Sequence, residues 1–349
     1  MNKILIPLAV LAISALPATV SAFDQLDRFA PLFSANQQDP LAFTYLAPQG
    51  GFHADSPTLY GMEDHVLLQS IGNGTGVDPT TGIAFPQVTG AISTGQAPTQ
   101  LTVLVGEPGF LDAAAATLTA RGFEGSEEAG QSVLSKGDDY AMDFAAMSDP
   151  LGSGMGKSQR LALGEDFLIR SSGWPEMRTA LASLDTPPPL SELWRASIAG
   201  LRQASGESWL ALAFGWNAVS FFDIGDPAAL TLDPNAAMAK PAPASALPVF
   251  PHAIIALTQD SDAAAIRIAL PFGSAEQAQQ AGAIIADRLL ARPDTATTQP
   301  SATVEAAAPY FIAVITMQVP GESLADTAAR FASQNNAVMQ RDYGVLQLP

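Results

Sequence analysis

The sequence predicts an α+β protein built of two similar two-layer units, each an antiparallel sheet with helices on one face. Three observations carry this expectation. Apolar stretches of strand length come in pairs instead of alternating one for one with helices. Single amphipathic stretches with a 3.6-residue period separate those pairs. Three consecutive prolines, Pro187 to Pro189, then break the chain between halves of similar grammar.

Taken in order, residues 1–22 have the pattern of a cleaved secretion signal. Lys3 is the basic start, Ile4 to Leu16 the apolar run, Pro17 the helix breaker and Val20-Ser21-Ala22 the small-residue site, with cleavage expected between Ala22 and Phe23. The apolar run is short of the roughly 20 residues that span a bilayer. The protein is therefore expected in the periplasm or secreted, with no membrane insertion once the signal is removed. Residues 23–99, rich in Gly, Pro, Thr and Asp, read as an irregular lead-in packed on the first unit, with short strands such as His65 to Ile71.

The first unit spans 100–188. Leu101 to Val105 is β-branched and apolar, as a buried strand is. Pro108 opens a helix with Phe110, Leu111, Ala114 and Leu118 on one face, and Gly122 stops it. Gln131 to Ser135 and Tyr140 to Ala145 read as strands joined by a Gly-Asp-Asp turn. Arg160 to Leu163 and Phe167 to Ser171 form a second pair, and Trp174-Pro175 starts a helix through Leu184.

The second unit spans 189–349. Ser191 caps a helix bearing Leu193, Trp194, Ile198 and Leu201. Strands follow at Trp209 to Phe214 and Val219 to Ile224, then a Pro- and Ala-rich connection at 236–248. Another strand pair lies at Ala253 to Leu257 and Ala265 to Leu270. Ser274 to Gln277 is a capping box opening a helix through Leu290. A strand from Tyr310 to Val319 and a helix capped at Ser323 close the chain. The recurrence resembles a ferredoxin-like duplication, which implies two related units of that character.

Composition narrows the function. The chain has no cysteine, so no disulfide supports it and buried apolar surface must. A net charge of −18 without Lys/Arg clusters excludes unassisted nucleic-acid binding and disfavours anionic membrane surfaces. An envelope protein, or a small neutral or cationic ligand, remains as partner.

Catalytic motifs fail on spacing. Gly-Met-Gly-Lys-Ser at 154–158 has Leu151 where a phosphate-binding loop needs glycine, and it leads into a strand. Gly72 to Gly76 has Val77 where the dinucleotide fingerprint needs glycine. Asp260-Ser261-Asp262 lacks the third ligand of a calcium loop, since Ala264 stands there. No Gly-x-Ser-x-Gly or Ser-x-x-Lys occurs. His252, after Pro251, reads as a packed residue, and Asp138 and Asp139 as a turn.

Two candidate sites survive. His53, His65, Asp55 and Glu63 have the donor types of a metal site with an open water position. Trp194, Trp209, Trp216 and Phe222 concentrate aromatic side chains within a short span, as a ligand cleft does. No cofactor is implied. The expected function is a non-catalytic binding or interaction protein of the bacterial cell envelope. The alternative is a metal-dependent hydrolase using His53, His65 and the nearby carboxylates.

Overall fold

Apolar residues at Phe23, Leu26, Phe29, Ala30 and Phe33 recur at helical spacing and form α1 (Ala22–Phe33), which buries that stripe completely. The computed structural model describes residues 21–33, 41–48, 65–95, 98–152, 155–221, 246–259, 263–291 and 300–318, with Thr327, Phe331 and Leu346. Among them, twelve strands form one antiparallel sheet. They are β1 (Leu41–Leu46), β2 (Val88–Thr94), β3 (Leu101–Gly106), β4 (Glu124–Glu128), β5 (Gln131–Lys136), β6 (Gln159–Leu163), β7 (Phe167–Ser171), β8 (Trp209–Asn217), β9 (His252–Gln259), β10 (Ala264–Phe272), β11 (Pro300–Ala307) and β12 (Tyr310–Gln318). Their spatial order is β11-β12-β10-β9-β8-β1-β2-β3-β7-β6-β5-β4. The described helices after α1 are α2 (His65–Asn73), α3 (Ala114–Ala120), α4 (Trp174–Asp185), α5 (Leu190–Ser205) and α6 (Ala275–Leu290).

Helices cover both faces of this sheet, so the expected two-layer arrangement is replaced by three layers. The reason lies in the strands. β9 and β10 are apolar at both parities, and a strand buried on both sides needs cover on both sides. Ile254, Ala213, Ile312 and Val103 pack under α1, α4 and α5. Their neighbours Ile255, Phe214, Ala313 and Leu104 face the opposite core with α2, α3 and α6. The two edges are protected by polarity: β4 is Glu-Gly-Ser-Glu-Glu, and β11 carries Pro300 and Glu305.

The halves meet at β1 and β8, which pair antiparallel with Thr44 opposite Phe214 and Leu46 opposite Leu212. From this seam the strands run outward on both sides. A helix (α1 or α5) leads into a three-strand meander running outward (β1–β3 or β8–β10). A helix on the opposite face (α3 or α6) then crosses to the outer edge, and strands return inward to β7 or β12. α1 and α5 pack on each other across the seam, tied by Arg202–Asp24 at 2.6 Å. That pair is half exposed and contributes little. The edge-on contacts of the α5 ring Trp194 with Phe33 and Phe43, at centroid distances of 6.0 and 5.5 Å, are the stronger tie.

Several elements differ from expectation. The supposed lead-in supplies α1, β1, α2 and β2, the last pairing directly with β3 near the sheet centre. His65 to Ile71 is helical, because its apolar residues satisfy a 3.6 period as well as a strand run. The helix expected from Pro108 begins only at Ala114, after turns. β5 pairs with β4, not with Tyr140 to Ala145, which belongs to a loop. After β8, residues 218–220 make a short 3-10 turn and Phe221 a bend, and residues 222–224 of the strand expected there lie outside the described residues. The helix capped at Ser323 also falls outside them, apart from Thr327 and Phe331.

Candidate interaction surface

Of the metal donors expected from sequence, His53, Asp55 and Glu63 lie outside the described residues, and His65 opens α2. Among the described residues no three metal-binding side chains come together. The aromatic set does not share a cleft. Trp194 is buried on the α1–α5 face and Trp216 on the opposite face, with the sheet between them. Trp209 is partly exposed at the start of β8, and Phe222 lies outside the described residues. The aromatic character of the segment therefore serves two cores.

His252 is a packed residue, as its neighbours in sequence imply. Its ring stacks on Trp194 at 3.6 Å and 17°, and its Nε2 lies 2.8 Å from Ser197 Oγ. Ser197 Oγ also lies 3.2 Å from the Leu193 carbonyl, and which group donates across the Ser–His contact follows the imidazole tautomer. Ser197 and His252 are both buried, so the pair presents no atom to solvent. Burial pushes the His252 pKa down to about 3. This Ser–His pair is a sealed structural contact.

The feature that faces solvent is the β5–β6 connection, described over residues 137–152 and 155–158. Met142, Phe144, Met147 and Met155 are 51%, 66%, 48% and 43% exposed, and Tyr140 also lies open. Among the described residues the other exposed large apolar side chains, Val77, Trp209, Leu290 and Val304, sit singly along the chain. Concentration on one loop separates this patch from ordinary scattered exposure.

The loop is held firmly at both ends. At its start, the buried Arg160 guanidinium donates to the Lys136, Gly137 and Gln159 carbonyls at 2.9–3.2 Å and to Asp139 at 2.7 Å, and stacks on Trp174. Tyr140 donates to both Glu176 oxygens at 2.8 Å. Partial burial and that carboxylate push its pKa up to about 12. At its far end, the buried Asp149 accepts from Arg121 at 2.6 Å, Gln159 at 3.1 Å and the Leu151 N–H at 3.0 Å. Leu151 plugs into the core.

Within the loop, Met142 bridges antiparallel to Lys157, and the Asp143 N–H donates to the Gly156 carbonyl at 2.8 Å. Gly156 has φ +61°, and a side chain there would collide with the Asp143 carbonyl. Asp143 also accepts from the Ala145 N–H at 3.0 Å, capping a 3-10 turn. This close approach brings the backbone of the segment carrying Met142, Phe144 and Met147 alongside Gly156, which follows Met155. Between Lys136 and Lys157 the only charged residues are Asp138, Asp139, Asp143 and Asp149. Asp138 and Asp143 make no ion pair among the described residues. The surface is thus apolar with an acidic rim.

No known family model matches the chain, and no curated protein does. Among solved structures, crystal form III of TP0453 aligns with TM-score 0.37 at 14% identity, covering 87% of this chain and 98% of that one. Crystal form I gives 0.34 at 12%, with 87% and 96% covered, and form IV gives 0.36 at 12%, with 86% and 96% covered. At TM-scores below 0.5 these likenesses carry no conclusion on fold or function.

Proposed function

We propose that this chain is an exported, non-catalytic interaction protein of the bacterial cell envelope that docks through its β5–β6 loop. The observation that carries this reading is the firmly anchored cluster of Met142, Phe144, Met147 and Met155 in solvent. Covering such side chains is worth about 1.5–3 kcal/mol each at full burial. The aspartate rim selects a protein partner whose apolar groove is bordered by Lys or Arg, and repels an anionic lipid surface. The secretion signal at residues 1–22 supports export, and cleavage after Ala22 would leave α1 beginning at Phe23. We also take the two halves of the sheet as related units. In the second half β10, α6 and β11 link parallel strands with β12 between them, a connection of ferredoxin-like kind; in the first, β3, α3 and β4 do the same with β7, β6 and β5 between.

The test is site-specific photo-cross-linking in the native host, with the reactive group at position 144 or 147 and controls at Leu290 and Val304. A discrete protein adduct from the loop positions alone, weakened by raised salt, is the expected result. Absence of any adduct there, or equal adducts at the controls, overturns the reading. N-terminal sequencing of the exported protein should begin at Phe23.

A further inference from the structure

We propose that Met142, Met147 and Met155 form an oxidation switch on this surface, turned off by peroxide-class oxidants; the inference rests on the docking reading above. The chain has no cysteine, so methionine sulfur is its most readily oxidised group. Among the described residues the methionines divide sharply. Three lie on the loop at 43–51% exposure, while Met177 and Met317 are buried at 0% and 2%. All three exposed ones lie on the same loop, whose two arms are held side by side by the Met142–Lys157 bridge and the Asp143–Gly156 contact.

In the reaction, a thioether lone pair attacks one peroxide oxygen and the O–O bond breaks. The sulfur gains that oxygen as a sulfoxide and is oxidised by two electrons, and the peroxide's other oxygen leaves as water. Each sulfoxide places a strong dipole where the patch had a polarisable apolar atom. The surface then stays hydrated instead of docking. Sulfoxide reductase, drawing two electrons from a dithiol, returns the thioether and releases water.

The experiment treats the folded mature protein with hydrogen peroxide and follows each methionine by peptide mass spectrometry, with circular dichroism to confirm that the fold persists. Nile red, an uncharged apolar dye, reports the patch. The expected result is sulfoxide at 142, 147 and 155 forming about tenfold faster than at 177 and 317. Dye fluorescence should fall about threefold and recover with sulfoxide reductase and dithiothreitol. A Met142→Leu/Met147→Leu/Met155→Leu variant keeps the apolar surface without the sulfur, and its dye signal should resist peroxide. Equal oxidation rates at all five positions overturn the switch. So does dye binding that survives sulfoxide formation, or that peroxide abolishes in the leucine variant. These outcomes are separate from the docking reading, which fails if no adduct forms at position 144 or 147 or if the controls cross-link equally.

Discussion

His252 is a neutral ring enclosed between Trp194 and Ser197, and its depressed pKa makes it a pH-dependent contributor to stability. The unfolded chain protonates this histidine near pH 6.5, while the folded chain resists protonation down to about 3. Its stabilising effect is therefore complete above pH 6.5 and is lost as the pH falls towards 3. Between pH 7 and pH 5 the loss should be about 2 kcal/mol. Denaturant midpoints measured across that range would check it, and His252→Phe should flatten the slope. Phe144 presents the opposite case, a large apolar ring in water. Phe144→Ser should change stability by no more than about 0.5 kcal/mol while removing the loop cross-link. A stability loss well beyond that would mean the ring is packed, not presented.

At the scale of elements, the β5–β6 loop depends on its anchors more than on its own sequence. Asp149→Ala leaves the Gln159 amide and the Leu151 N–H without their acceptor, and strips Arg121 of its carboxylate. The expected cost is about 2 kcal/mol, discounted because Arg121 is partly exposed. Faster proteolysis within residues 140–155, at a lowered denaturation midpoint, would be the signature. Legibility varied with the physics of each element. β3, β6, β7, α4, α5 and α6 announce themselves by apolar period, capping residues or both. β4 and β11 do not, because edge strands of polar residues are held by backbone hydrogen bonds to β5 and β12. The alternation Tyr140-Met142-Phe144 was readable as a strand with one apolar face. Period alone cannot say whether that face meets a core or water, and here it meets water.

At the scale of the whole molecule, the β1–β8 seam and the α1–α5 contact make the halves interdependent. Phe43→Ala, beneath both Phe33 and Trp194, should cost about 3–5 kcal/mol. It should lower a single calorimetric transition without splitting it; two resolved transitions would show halves that fold independently. The sequence by itself determined the α+β class, the antiparallel pairing of neighbouring strands and the acidic, cysteine-free character. It also excluded phosphate-loop and dinucleotide sites. These follow from local pattern: period, turn chemistry, spacing and charge. Only the tertiary structure decided that both halves share one sheet and that helices cover both its faces. It likewise placed Trp194 and Trp216 in separate cores and left the loop methionines in solvent. Each of those depends on which distant segments meet, as β1 does with β8, and burial is a property of that meeting.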